Sequence, residues 1–353
     1  MFCRRFLSAT AALAVLLHLP GALAQQTAAP GDTAPPPATK PEWTEIPVAP
    51  ASGTPAPAVS NFPEIKIPNF TSCSMSDLKH AVPALTHLQP ESDQSQLTAL
   101  LDKIGAEIVE IANKTPNLIS HEEVLAVYGV VKSRQDFSFL VLQHETSSRG
   151  RIFDEYRVDV KTGEKFQTDM AGNATAGDSA TASLAALATA SQSAAHSEDG
   201  PLSQGFVNNW VNFHPANRRL SDFRYLGEEK MDGHRTVVVA FAQKPGRVPL
   251  PSIVFFDRKP FQVFMQGVAW VDPADFKILR LWMDILAPPP GVPLRQLSSD
   301  IHFAETAIAD LPSPLWLPRE VVIISNVSGS VLREAHTYSN YRLFRSRSKL
   351  VLK

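Results

Sequence analysis

The side chains that could perform acid–base chemistry are carboxylates beside two predicted turns. Glu228, Glu229 and Asp232 cluster near one turn, and Asp272 and Asp275 lie at the other. A hydrolase could use two such groups as general acid and general base. Aspartate is also common in tight turns, because its side chain accepts hydrogen bonds from the nearby backbone. We prefer this local role, and the sequence indicates no catalytic residues.

Metal-binding and nucleophile motifs are the other chemical candidates. The sequence contains no Gly-x-Ser-x-Gly elbow, no glycine-rich phosphate loop and no His-Glu-x-x-His motif. The run that begins at His121 starts as His-Glu-Glu but lacks the second histidine. The ten histidines show no spacing typical of a ligand set, and surface or structural roles are expected for them, His336 included. We therefore predict a non-enzymatic protein without metal or cofactor.

The N-terminus has the pattern of a secretory signal peptide. Arg4 and Arg5 precede an apolar run at 7–19, and Ala22-Leu23-Ala24 forms a small-residue cleavage site. The twin arginines also allow the twin-arginine export route, although the general secretory route fits better. The apolar run is too short to span a bilayer. The sequence thus predicts a signal peptide at 1–24, a periplasmic or extracellular location, and no transmembrane segment in the mature chain.

Two segments have low-complexity composition. Residues 25–68 are rich in Pro and Ala, which predicts a disordered linker, and residues 169–199 are rich in Ala and Ser, which predicts a mobile loop. Residues 69–353 are predicted to form a single β domain around that loop. Cys73 would be the one cysteine of the exported chain, so no intramolecular disulfide is expected. A formal net charge of -2 gives no reason to expect a nucleic-acid partner.

Short turns organise the second half of the chain into hairpins. Asp232-Gly233 is a two-residue loop that accepts positive φ at both positions, so the runs around it should pair antiparallel. The stretch 272–275 fits a type I turn with proline at its second position. Ser328-Gly329 separates a further pair of strand-like runs. The total is about seven to nine antiparallel strands, an α+β fold that is mainly β.

Two helices are expected to pack on this sheet. Apolar residues at 97, 101, 104, 108 and 111 form one stripe, which predicts a helix that stops near Thr115 because Pro116 disfavours helical geometry before it. A second amphipathic helix is predicted at 201–214. Residues 156–161 alternate instead with period two, which predicts a strand that carries Arg157 on its solvent-facing side.

Apolar residues on both faces of two strands are the main functional indication. Leu279, Leu281, Met283 and Ile285 share one face of their strand, whereas Ile278 and Trp282 share the other. Both faces of the sheet should therefore be covered. One interpretation is an ordinary sandwich or helix-covered core. The other is a curved sheet whose concave side holds an apolar ligand, with a helix as plug. Its candidate lining residues are Trp270, Leu279, Leu281, Met283, Ile285, Trp210 and Phe206.

The order of helix and hairpins resembles the bacterial envelope proteins related to lipoprotein carriers and outer-membrane lipoprotein-sorting proteins (LolA/LolB-like). The resemblance is carried by the run that begins Leu226-Gly227-Glu228 and by the Trp270-Val271-Asp272 turn, and it covers roughly 96–344. It implies an incomplete β-barrel with helices over its mouth and an apolar cavity for acyl chains. The linker and the Ala-rich loop are not part of that pattern.

These observations favour an exported carrier or sensor of a lipid-like molecule in the cell envelope. Its partner would be a lipid or acyl chain, with another envelope protein as a further partner. The alternative is an interaction module that uses the sheet surface to dock a protein and binds no lipid. Ligand identity and oligomeric state are not determined by the sequence.

Overall fold

The computed structural model describes residues 67–344, except 147–149, 164, 169–205, 208, 249–251 and 257–258. The predicted signal peptide, nearly all of the predicted linker and the Ala/Ser-rich loop lie outside the described residues. So do residues 201–205 and 208 of the second predicted helix. Within the described part, no helix is long and apolar enough to cross a membrane.

The described chain has two α-helices and fourteen strands. The helices are α1 (Met75–Ala81) and α2 (Leu97–Lys114). The strands are β1 (Gln89–Pro90), β2 (Leu118–Tyr128), β3 (Val131–Thr146), β4 (Gly150–Asp159), β5 (Lys165–Thr168), β6 (Ser221–Met231), β7 (His234–Gln243), β8 (Ser252–Phe256), β9 (Lys259–Val263), β10 (Met265–Val271), β11 (Ile278–Ile285), β12 (Leu294–Thr306), β13 (Leu315–Val327) and β14 (Ser330–Leu343).

Twelve of these strands form one antiparallel sheet that does not close. Their order is β1-β6-β7-β10-β11-β12-β13-β14-β2-β3-β4-β5, and β8 pairs with β9 separately. The predicted fold class is confirmed, but the sheet has more strands than the seven to nine expected. Two of the twelve strands, β1 and β5, are only two and four residues long.

The sheet is strongly curved, and two aromatic contacts demonstrate it. Trp210 lies edge-on to Phe153 of β4 at 6.4 Å between ring centroids, and Phe213 lies 5.5 Å from Phe223 of β6. Strands β4 and β6 are nine places apart in the sheet. A flat sheet would separate them by roughly 40 Å at about 4.8 Å per strand. One short helical turn, Asn209–Phe213, reaches both, so the two halves of the sheet curl toward each other.

Helix α2 forms where its periodicity predicted a helix, and it packs on the concave side of the sheet. Leu101, Ile104 and Ile108 are buried in a core shared with β-strands from both halves of the sheet. The helix ends at Thr115, whose backbone N–H donates to the Ile111 carbonyl oxygen at 3.0 Å. The second predicted helix is different: its described part is a 3₁₀ turn at Asn209–Phe213 that buries Trp210 and Phe213.

The convex side is covered by the segment that precedes α2. Phe70, Leu78 of α1 and Leu85 pack with Val238 and Trp270 in a second buried cluster. Ser74 caps α1 by accepting from the Asp77 backbone N–H at 3.1 Å. The prediction that both faces of the sheet are covered is thus confirmed, and the second cover is this short helical segment, which the sequence analysis did not identify.

The two-residue turns have the predicted geometry. Asp232 and Gly233 have φ of 52° and 82°, and Ser328 and Gly329 have φ of 53° and 88°, so both turns have positive φ at both positions. The third turn is longer than predicted. The Phe276 N–H donates to the Asp272 carbonyl oxygen at 2.9 Å, and Phe276 itself has φ of 62°.

A β-bulge changes which residues of β11 face the concave core. Trp270 pairs with Arg280, but Val271 pairs with Ile278, so Leu279 is an extra residue. Ile278 is therefore buried with Leu281 in the concave core. The expectation that Leu279 shares a face with Leu281, and that Ile278 lies on the opposite face, was wrong, because strict alternation does not hold across a bulge.

Candidate functional site

An apolar cleft opens between α2 and the end of the sheet where β11 and β13 begin and β12 finishes. Its empty volume is about 290 Å³, including space open to solvent. The lining residues are Ile108, Ile111, Trp210, Phe276, Lys277, Ile278, Phe303 and Trp316. Seven of these eight are apolar, which is the composition expected of a site for a hydrocarbon group.

Each wall of the cleft is fixed by a different element. Ile108 and Ile111 come from successive turns of α2, and Ile278 takes its place through the β11 bulge. The indole Nε1 of Trp316 donates to the Ile278 carbonyl oxygen at 2.8 Å, which ties β13 to β11 across β12. The polar edge of the indole is therefore satisfied, and its apolar body remains available to line the cleft.

The rim of the cleft is charged. Lys277 lies 5.4 Å from the Trp316 ring centroid, and its Nζ is 2.7 Å from Asp275 Oδ2. The hydrogen bond to Asp275 raises the pKa of Lys277. Lys103 of α2 lies over the Phe276 ring at 4.7 Å. Partial burial raises the pKa of Glu107, against the opposing effect of Lys277.

The structure separates the seven predicted lining residues. Trp210 lines the cleft, and Leu281, Met283 and Phe206 lie in the concave core beyond it. Ile285 belongs to a separate cluster with Leu294 and Val327 at the other end of the strands. Trp270 is packed on the convex side, where its Nε1 donates to Glu229 Oε2 at 2.7 Å. Leu279 is part-buried at the bulge. Ligand contact by these residues stays a prediction.

A second feature of the concave face was not predicted: a buried ionic cluster on β2, β4 and β14. Arg157 was expected to face solvent, but its side chain is 1% exposed and pairs with Glu122, which is 0% exposed. The Arg157 Nη2 donates to Glu122 Oε1 at 2.6 Å. Val160, expected on the buried face, is 61% exposed. The alternation of β4 is thus correct in period but inverted in direction.

Two further side chains of β14 complete the environment of Glu122. His336 Nδ1 lies 2.9 Å from Glu122 Oε1, and the Tyr338 hydroxyl donates to the same oxygen at 2.8 Å. Burial pushes the pKa of Glu122 upward, but Arg157 and His336 outweigh it and hold this pKa at about 2. Burial and the Glu122 charge raise the pKa of Tyr338 well above its ordinary value. Glu122 is therefore a stable carboxylate.

Glu155 is the other buried carboxyl of this region, and it holds the segment in front of Trp210. It accepts hydrogen bonds from the backbone N–H groups of Phe206 at 3.1 Å and Val207 at 2.9 Å. Burial raises the pKa of Glu155 to about 7, although both donors and Arg157 lower it. The Phe206 ring lies 5.1 Å from the His336 ring and covers the cluster.

The arrangement favours a structural role for the ionic cluster. Glu122 is already occupied by three partners, and His336 Nε2 is buried without a partner among the described residues. The signal that sequence reasoning missed was spacing: Glu155 and Arg157 are two residues apart, so they share a strand face. Phe153, on the same strand face, packs in the concave core, and Glu122 on a nearby strand supplies the counter-charge for Arg157.

No protein-family model and no curated protein matches the chain. Solved structures do match, with low similarity. A DUF1329 family protein from Desulfovibrio piger is 10% identical, covers 71% of this chain and 94% of its own, and has a TM-score of 0.37. A putative outer membrane lipoprotein-sorting protein domain from Vibrio parahaemolyticus is 12% identical, with 70% and 95% coverage and a TM-score of 0.35.

A LolA superfamily protein from Nitrosomonas europaea is 10% identical, covers 69% of this chain and 94% of its own, and has a TM-score of 0.31. The group that the hairpin sequences resemble is therefore among the matching structures. At these TM-scores the functional conclusion rests on the geometry of this chain alone.

Proposed function

We propose that this protein is a non-enzymatic binding protein or carrier for a lipid-like ligand, whose alkyl part enters the cleft beneath α2. The observation that carries the proposal is the continuous apolar wall formed by Ile108, Ile111, Phe303 and Trp316. Each methylene that leaves water for such a wall contributes about 0.8 kcal/mol. Binding would thus follow from transfer of hydrocarbon from water to this apolar surface.

The dimensions of the cleft limit the size of the ligand that can bind. Its empty volume of about 290 Å³ includes space open to solvent, so the cleft is a shallow apolar surface and not an enclosed cavity of ligand size. The rest of the concave face is filled by packed side chains, among them Leu281 and Met283. One short alkyl chain would lie along this surface, with its polar end at the rim beside Lys277. Several acyl chains together do not fit.

The cellular setting is part of the proposal. The N-terminal pattern supports export to the periplasm or the extracellular medium, and the Pro-rich stretch supports a linker between the leader and a single β domain. An exported carrier meets lipid-like ligands at the membranes of the envelope.

Uptake of a fluorescent fatty acid by the full chain tests the cleft. Ile111→Trp adds volume on the α2 wall and should weaken probe binding by at least about tenfold, since the added ring occupies the space of several methylenes. The matched control is Ile324→Trp on the convex face of β13, where Ile323 faces the core and Ile324 faces away. This control should bind the probe as the parent does.

Two outcomes would contradict the proposal. One is a parent protein that takes up no probe and yields no lipid on extraction with organic solvent. The other is equal probe binding by the Ile111→Trp variant, which would place the ligand elsewhere. Recovery of a stoichiometric protein partner without lipid would favour the interaction module.

A further inference from the structure

The large apolar side chains that are exposed in the described residues lie together on neighbouring strands. They are Leu125 (39% exposed), Tyr128 (39%), Val130 (97%), Val131 (62%), Val160 (61%) and Val331 (46%). These residues belong to β14, β2, β3, the β2–β3 turn and the turn after β4, and the strands β14, β2, β3 and β4 occupy four successive places in the sheet. Exposed apolar residues concentrated in one region of a surface mark an interaction site.

Four of them lie where β2 ends and where β3 and β14 begin. Tyr128 pairs with Val131 to close the β2–β3 hairpin around Gly129-Val130, and Tyr128 also pairs with Leu332 of β14. The Ser328-Gly329 turn that begins β14 is therefore beside the β2–β3 turn. We name this end, with Tyr128, Val130, Val131 and Val331, the valine tip.

The valine tip projects beyond its neighbour on one side. Strand β4 ends at Asp159, which pairs with Phe137 of β3. Residues 131–136 of β3 therefore pair with β2 but not with β4. At about 3.4 Å per residue, the tip extends roughly 20 Å past the end of β4. A projecting edge of this kind presents side chains outward and forms no groove.

The charge around the valine tip is positive. Lys132 and Arg333 both pair in register with Val127, so they flank it on one face, and both are exposed. Neither makes an ion pair within the part of the chain that the structure describes. Arg134, also exposed, contacts Glu123 and Asp136, which lie five residues farther from the hairpin turn than Tyr128 and Val131.

We propose that the valine tip docks on a membrane surface that carries anionic lipids. Projecting valines and a tyrosine can enter the headgroup region, where a residue with an apolar body and a polar end is favoured. Lys132 and Arg333 then lie at the level of the lipid charges, and each cation near an anionic surface contributes to binding. A protein partner would need a complementary pocket for isolated valines, whereas a fluid bilayer needs none.

Membrane docking is independent of the cleft proposed above. The cleft lies at the end of the sheet where β11 and β13 begin, and the valine tip lies at the end where β14 begins. Variants of Ile111 should therefore leave membrane binding unchanged, and tip variants should leave uptake of the fatty acid unchanged.

Cosedimentation of the full chain with vesicles provides the first measurement. The vesicles are phosphatidylcholine alone or with about 30% phosphatidylglycerol. The pair K132Q/R333Q should weaken binding to the anionic vesicles by about 25-fold, from roughly fivefold per cation. The control pair K230Q/R319Q removes two exposed cations near the opposite end of the strands and should bind as the parent does.

A fluorophore on the tip separates its contribution from that of any other segment. An environment-sensitive dye is attached to V130C in a chain that also carries C3S and C73S. Anionic vesicles should shift its emission to the blue and at least double its intensity. The same dye on V160C, which is exposed but lies beside the end of β4, should stay in water. The variant V130D/V131D should lose vesicle binding while its far-UV circular dichroism is unchanged.

Three results would overturn the proposal: a parent chain that does not bind anionic vesicles, a dye at position 130 that stays in water while the chain cosediments, and equal binding by V130D/V131D. Capture of a protein through the tip, without vesicle binding, would also overturn it.

Discussion

Arg157 of β4 and Glu122 of β2 form an ion pair in the interior of the curved sheet, with side chains 1% and 0% exposed. One strand, β3, separates their backbones, and the Arg157 Nη2 donates to Glu122 Oε1 at 2.6 Å. Tyr338 and His336 from β14 approach the same carboxylate from the other side. The cluster therefore connects β2, β4 and β14, and β14 lies far from the other two strands in sequence.

Removal of one member of this pair should destabilise the fold strongly. Arg157→Met leaves Glu122 as a buried carboxylate without its main counter-charge, a change that costs about 3–5 kcal/mol in comparable sites. The double variant Glu122→Met with Arg157→Met should recover most of that loss, because no buried charge is left unpaired. Urea denaturation of the single and double variants measures both effects.

The control is Arg235→Met in the exposed pair with Glu228, which should change the midpoint little. A double variant as unstable as Arg157→Met would contradict the ion-pair explanation.

The pH dependence of stability should contain opposite contributions from Glu155 and Glu122. The folded-state pKa of Glu155 is raised from 4.5 to about 7, so the folded protein binds this proton more tightly than the unfolded chain does. Its contribution to stability is complete below pH 4.5 and is lost as the pH rises to about 7, with a magnitude of about 3 kcal/mol. The pKa of Glu122 is lowered to about 2, so its contribution is present above pH 4.5 and is lost as the pH falls toward 2.

Comparison with Glu155→Gln isolates the first contribution. Because the amide does not titrate, the stability of this variant relative to the parent should increase between pH 4.5 and pH 7. Asp284, whose pKa burial raises to about 6, changes equally in both proteins and cancels. Urea denaturation at several pH values provides the measurement. A constant difference across this range would show that Glu155 has an ordinary pKa.

Two tryptophans on neighbouring strands should differ in how much stability they lose when the indole N–H is removed. Trp270 Nε1 donates to Glu229 Oε2 at 2.7 Å, so Trp270→Phe removes a hydrogen bond to a charged group, worth about 1.5–3 kcal/mol. Trp282 Nε1 is buried without a partner among the described residues. Trp282→Phe should therefore be close to neutral apart from the smaller ring. Thermal denaturation compares the two, and equal losses would contradict the assigned role of Glu229. Since Trp270 faces the convex side, its variant should keep full uptake of the fatty acid.

Local features of the fold were predictable from the sequence. The Asp232-Gly233 and Ser328-Gly329 turns depend on the φ preferences of the residues within them, and α2 depends on apolar spacing over about four turns. The longer turn at 272–276 and the bulge at Leu279 were not predictable, because one extra residue leaves no distinct pattern in a short window.

The residues of the candidate site were likewise only partly predictable from the sequence. Trp210 was identified because a large aromatic residue on an amphipathic segment is usually buried. Phe303 and Trp316 were missed, because they approach α2 only when β12 and β13 lie side by side beneath it.

The sequence by itself determined where strands turn, where α2 begins and ends, and that both faces of the sheet are covered. The tertiary structure decided which face is inner. Periodicity gives the separation of faces along a strand but not their direction. In β4, Arg157 faces inward together with Phe153, toward Glu122 and His336, which lie 35 and 179 residues from Arg157 along the chain. Only their approach across the curved sheet makes a buried arginine stable.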